Sequence, residues 1–156
     1  MISTPGKGFA TAMKTLDGGR IGIASQALGI AEGAFEIARQ YMKQRQQFGK
    51  PISKNQHLAF RMVDLANSIE MAKYMVYKAA TDKDAHKPFS QAAAKAKLIA
   101  AETAMRVTTD AVQMMGGNGY MKEYHVERLM RDAKITQIYE GTSEVQKIVL
   151  SKTLFD

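Results

Sequence analysis

Between Phe9 and the C-terminus, proline occurs only at Pro51 and Pro88. Proline removes the amide hydrogen that a helix interior needs, and its ring clashes with the preceding turn. Its near absence leaves long stretches in which helices can run unbroken. Within those stretches the apolar residues recur every three or four positions, which places them on one face of a helix with 3.6 residues per turn. Ile21, Ala24, Leu28, Ala31, Phe35, Ala38 and Met42 form one such stripe, and Leu58, Met62, Leu65, Ile69, Ala72 and Val76 a second. Ala96, Ile99, Ala100, Val107, Ala111 and Met114 form a third. No alternating, strand-like pattern competes with these three.

Break signals set the helix ends. Pro5-Gly6-Lys7-Gly8 reads as a turn, so residues 1–8 are expected to be a linker remnant and 9–156 a helical bundle domain. Asp17-Gly18-Gly19 predicts a bend between a short helix and a long one over 20–46. Phe48-Gly49-Lys50-Pro51 stops that helix. Ser53 is placed to cap a second helix over 54–84, which His86-Lys87-Pro88 ends. A third spans 89–115, up to Gly116-Gly117-Asn118-Gly119, and a short one covers 126–133. A last helix opens after Thr142, where Ser143 and Gln146 have capping-box spacing. The fold class is all-α: an up-and-down four-helix bundle with an extra short helix.

Composition narrows the chemistry. The 156 residues contain 11 Met, no Trp and no Cys. Disulfides, a thiolate nucleophile and cysteine-bound metal are excluded. His57, His86 and His125 have no metal-ligand spacing, and no metal is expected. No apolar run reaches membrane-spanning length, so a soluble protein is expected. The net charge of +7 suits a phosphorylated small molecule, an anionic surface or simply a solvated lysine-rich exterior. The basic residues are spread out, and no nucleic-acid-binding signature accompanies them.

Several segments admit two readings. Arg45-Gln46-Gln47-Phe48-Gly49-Lys50 is a basic helix end, favourable against the helix dipole. It also joins a phosphate-gripping arginine to a flat aromatic face, which suits a nucleotide. The 116–119 glycines are a helix terminus or a place where backbone approaches a ligand closely. Arg128, Arg131 and Asp132 read as a salt-bridge network on a short helix. Glu140 lies between the apolar stretch 135–139 and a Gly-Thr-Ser turn. It is an ordinary loop glutamate or a candidate base, because desolvation favours the protonated form of a carboxylate.

In order and spacing, these segments resemble the C-terminal helical domain of the acyl-CoA dehydrogenases. The resemblance covers essentially the whole chain. It rests on Pro5-Gly6-Lys7-Gly8-Phe9, Leu16-Asp17-Gly18-Gly19-Arg20, the stretch from Tyr41 to Ile52, and Gln56. It continues through Gln113-Met114-Met115-Gly116-Gly117-Asn118-Gly119-Tyr120, Arg131-Asp132-Ala133-Lys134-Ile135 and Ile138-Tyr139-Glu140-Gly141-Thr142-Ser143-Glu144. The family's N-terminal helical domain and middle β-domain have no counterpart here, so half of the flavin and acyl pocket is expected to lie outside this chain.

The resemblance implies an FAD-dependent α,β-dehydrogenation of a short- or medium-chain acyl-CoA to the trans-2-enoyl-CoA, with a butyryl-CoA dehydrogenase-like branch favoured. It implies Glu140 as the catalytic base. Some branches carry their base just before the arginine of the Leu-Asp-x-x-Arg segment, a position that is Gly19 here. Arg45, Phe48, Gln56, Gln113, Met114, Met115, Gly116 and Gly117 are implied to reach the FAD of a neighbouring subunit. Thr142, Ser143 and Glu144 are implied to contact the FAD of the chain's own active site. Leu16, Asp17, Gly18, Gly19, Arg20, Tyr139 and Gly141 are implied to lie near substrate. A homo-oligomer (dimer or tetramer), an electron-transfer flavoprotein as acceptor and a bacterial cytoplasmic or mitochondrial matrix location are implied as well. The domain alone is expected to be inactive and to hold FAD weakly or not at all. The competing expectation is an isolated helical assembly module without catalysis.

Overall fold

A computed structural model describes residues 4–155; residues 1–3 of the expected linker lie outside the described residues. Five α-helices account for most of the chain: α1 Gly8–Gln44, α2 Gln56–Asp84, α3 Ser90–Met115, α4 Val126–Thr136 and α5 Ser143–Phe155. Three long helices form the body of the bundle, the short α4 packs against α1 and α3, and α5 packs against α3. The all-α class follows directly from the three apolar stripes.

Helix α3 is the centre of the bundle. It packs against α1, α2, α4 and α5, and its contact with α1 is the most extensive. Alanine makes that contact possible. Ala24, Ala27, Ala31, Ala34 and Ala38 of α1 and Ala93, Ala96, Ala100, Ala104 and Ala111 of α3 are all essentially inaccessible. Small side chains let two helix axes approach toward the short end of the usual 8–10 Å separation. Leu65, Val107, Val126 and Met115 fill the remaining space.

Several expected boundaries and caps change. Helix α1 runs straight through Asp17-Gly18-Gly19, with no bend between a short and a long helix. Each helical glycine costs roughly 1 kcal/mol against alanine, and tertiary contacts offset that cost here. Asp17 Oδ1 accepts from Arg20 Nη1 at 2.6 Å and from Ser90 Oγ at 3.0 Å, tying this stretch to the start of α3. The helix ends at Gln44 rather than near residue 46. Gln46–Gln47 (β1) instead pairs antiparallel with Lys50–Pro51 (β2). Phe48 and Gly49 form the tip with φ of 51° and 77°. Two positive φ values match the two-residue turn whose twist suits a hairpin.

Ser53 does not cap α2, because residues 52–54 form a 3₁₀ turn. Asn55 takes the role, its side-chain oxygen accepting from the amides of His57 and Leu58. At α5 the Ser143–Gln146 capping box is not made. Thr142 Oγ1 accepts from the Val145 amide, and Gln146 turns inward. Helix α4 also extends beyond the expected 126–133 to Thr136. No helix among the described residues is long and apolar enough to cross a membrane.

Candidate active site

The turn between α4 and α5 carries the site. Both Glu140 and Gly141 are left-handed, with φ of 54° and 88°. Glycine adopts that conformation at no steric cost, whereas a glutamate there is held by its surroundings. Three contacts hold it. Gln146 Nε2 donates to the carbonyls of Glu140 and Gly141 at 3.2 and 2.8 Å. Lys97 Nζ donates to the Gly141 carbonyl at 2.7 Å. The Ser143 amide donates back to the Gln137 carbonyl at 3.0 Å. A side chain at Gly141 would also meet Gln146 Nε2 at 2.8 Å, so this position is glycine on two counts.

The reversed backbone throws the Glu140 side chain onto α1. A Cβ built at Gly19 would meet Glu140 Cδ at 2.9 Å and Oε1 at 3.4 Å. The space a side chain would fill at Gly19 therefore holds the Glu140 carboxylate. Residues distant in sequence meet at one point. Tyr139 is anchored beside them, its hydroxyl donating to Gln26 Oε1 on α1. Glu140 is half-buried, and Ile138 is 49% exposed. The dry surround expected from Ile138 and Tyr139 is thus only partial within this domain.

The remaining substrate segment lies at the same end of the bundle. Leu16 is half-buried, while Arg20 is buried and ion-paired with Asp17. Asp17 and Gly18 open onto a cleft of about 890 Å³ that also includes Lys14, Lys83 and Lys87. The sequence reading did not find these lysines. They lie on α1, at the end of α2 and in the loop before α3, and only the folded chain gathers them. In sequence they look like solvated surface.

Most of the expected cofactor residues fall into two clefts. Arg45, Gln113, Met114, Met115, Gly116 and Gly117 line one of about 790 Å³, together with Tyr41, His57, Arg61 and Asn118. Gly116 has φ 61°, and nothing lies within 4 Å of a Cβ built there, so backbone is open to the cleft. The turn is pinned where Asn118 Nδ2 donates to Tyr41 Oη at 2.9 Å. Gly119 packs so tightly that a Cβ would meet the Val112 carbonyl oxygen at 2.5 Å. Phe48 stands at the hairpin tip, 98% exposed, and Gln56 is exposed at the start of α2; neither lines the cleft. Arg61, paired with Asp110 at 2.8 Å, and His57 are lining residues that the sequence reading missed.

Thr142, Ser143 and Glu144 line a separate cleft with Glu102, Lys134 and Lys147. Hydrogen bonds from its own backbone amide and from the Thr142 hydroxyl hold the Glu144 carboxylate below the usual range. Ser143 is buried, with its hydroxyl lacking a hydrogen-bond partner among the described residues. No group of three or more metal-ligating side chains gathers among the described residues.

An arginine-lined cleft with open glycine backbone, a second cleft at a helix start and a carboxylate seated in a glycine gap lie on one α-bundle. Residues 6–155 match the family model of the acyl-CoA dehydrogenase C-terminal domain, and the chain belongs to that family. It is 64% identical to the short-chain specific acyl-CoA dehydrogenase of Clostridium acetobutylicum, over 99% of this chain and 41% of that protein. It superposes on the butyryl-CoA dehydrogenase of Megasphaera elsdenii with a TM-score of 0.97 and 58% identity, covering 99% of this chain and 40% of that one. A chain from a structure of the electron-transferring flavoprotein of Acidaminococcus fermentans aligns with a TM-score of 0.96 and 59% identity, covering 97% and 40%. The chain thus spans about two fifths of the length of these relatives.

Proposed function

We propose that this domain supplies the catalytic base and part of the cofactor site of an FAD-dependent dehydrogenase acting on a short- or medium-chain acyl-CoA. The observation that carries the reading is the Glu140 carboxylate lying in the space left by Gly19. The carbon beside a thioester carbonyl is only weakly acidic, so its base must be held in position and screened from water. Glu140 is fixed by a doubly left-handed turn and seated against a helix that leaves it room. Its half-burial supports a site completed by a covering domain outside this chain.

FAD, when bound, accepts hydride from the adjacent carbon of the thioester. The residues present fit such a group. Arg45 can pair with a pyrophosphate, and the open backbone at Gly116 and Gly117 allows close approach. That these residues line a different cleft from Thr142 and Glu144 supports a cofactor shared between subunits. Phe48, fully displayed at the hairpin tip, and Gln56 fit contacts to a group lying beyond the domain. Lys14, Lys83 and Lys87 beside Asp17 and Gly18 suit the phosphates of a CoA thioester.

The outer face of α2 displays Phe60, Val63, Met71, Tyr74 and Tyr77, each more than half exposed. A large apolar surface on one helix face suits a subunit contact, and we assign a dimer or tetramer to it. Electron-transfer flavoprotein is the proposed acceptor. The cytoplasm of a bacterium or the mitochondrial matrix of a eukaryote is the proposed compartment. The test is anaerobic addition of butyryl-CoA to the complete enzyme containing this domain. Bleaching of the flavin band with formation of the trans-2-enoyl thioester is the expected result; unreduced flavin after prolonged incubation contradicts the reading.

A further inference from the structure

Lys97 lies in the first third of α3, at 0% exposure, in a bundle otherwise packed with alanine. Lysine is almost never buried completely unless its ammonium has a partner. Its nearest partner is no carboxylate. Nζ donates instead to the main-chain carbonyl of Gly141, at 2.7 Å. Burying an ammonium in order to bond one neutral carbonyl is a costly arrangement for stability alone, since an apolar side chain of similar shape does as well or better. The Gly141 carbonyl already accepts from Gln146 Nε2, so the lysine is not needed to satisfy it.

We infer that Lys97 is a positioning residue for the Glu140 turn. The inference rests on the reading of Glu140 as base. Gln146 bonds two successive carbonyls from the α5 side. Lys97 adds an anchor from α3 at the centre of the bundle. The two together fix the peptide between residues 141 and 142 and, through it, the left-handed pair that aims the carboxylate into the Gly19 gap. Charged groups on every side set the field at Nζ. Burial lowers the lysine's pKa, and nearby Arg20 lowers it further, while Glu144 and Glu140 oppose that. The ammonium therefore sits among charges of the site itself.

The experiment compares K97M, K97R and E140Q with wild type in the complete enzyme. Methionine keeps the length and apolar stem of lysine but cannot donate, and folding should survive because no carbonyl is orphaned. Displacing a reacting group by about 1 Å costs on the order of 10²-fold in rate. K97M is expected to lose about 10- to 100-fold in kcat with FAD content and KM for butyryl-CoA within about twofold of wild type. K97R, which can still donate, should recover several-fold of that loss. The Ser143 amide should exchange faster in K97M while the core amides of α1 and α3 do not. Near-wild-type kcat in K97M overturns the inference. So does a parallel loss of kcat, KM and flavin, which marks a general structural defect. If K97M does not accumulate as folded protein, K97Q carries the same readouts and criteria. Near-wild-type turnover in E140Q would defeat the reading of the base instead. The Ser143 exchange then decides Lys97 alone: faster exchange upholds the clamp and unchanged exchange removes it.

Discussion

Gly19 and Glu140 share one volume, and this gives the glycine a role that helix propensity cannot. Gly19→Ala should separate stability from activity. Alanine in a helix interior is favoured over glycine by roughly 0.5–1 kcal/mol. The clashing atoms belong to the far end of a flexible side chain, which can swing away. Thermal unfolding of G19A should therefore occur about 1–4 °C higher than wild type, while turnover falls at least about tenfold because the carboxylate has moved. An alanine variant with unchanged turnover would detach the gap from function. Glu144→Gln is the companion change. Its carboxylate is held by its own amide and Thr142 at the start of α5, so the variant should lose FAD retention more than proton removal, as read by flavin content after gel filtration.

At the scale of elements, what the sequence revealed depended on whether the signal was local. The three long helices were legible because apolar stripes and proline breaks are properties of neighbouring residues. The run of α1 through Asp17-Gly18-Gly19 was not legible. One of the two hydrogen bonds described at Asp17 comes from Ser90, 73 residues further on. The hairpin at 46–51 was likewise hidden, since two-residue strands carry no period. The change from Ser53 to Asn55 as cap is a contest between two good capping residues, settled by the intervening 3₁₀ turn. Asn55→Ala should cost about 0.5–2 kcal/mol, seen as a lower denaturation midpoint with an unchanged m-value. Gly119→Ala should cost more, because the added methyl would press on Val112 backbone that cannot swing aside. It should lower both the unfolding temperature and the flavin content, since the same turn presents Gly116 and Gly117 to the cleft.

At the scale of the whole molecule, the proposed site is one that other parts of an enzyme would complete. Glu140 is half-buried, the arginine-lined cleft and the Thr142 cleft share no lining residue, and α2 displays an apolar face. The family itself was legible through its motifs taken in order. The lysines at 14, 83 and 87 and the buried Lys97 were not, because each becomes meaningful only when helices distant in sequence meet. Light scattering should find the chain associated into dimers or tetramers, and FAD titrated into the chain alone should bind weakly or not at all. Stoichiometric flavin surviving gel filtration would contradict that expectation. The most direct measurement is the rate of flavin reduction by butyryl-CoA in the complete enzyme with Glu140→Gln. Glutamine keeps the shape and the turn but removes the basic oxygen. A positioned base contributes about 10²–10⁴-fold, so reduction should slow by at least that lower factor while butyryl-CoA still binds with near wild-type affinity. Flavin reduced by E140Q at close to the wild-type rate would contradict the assignment of Glu140 as the base.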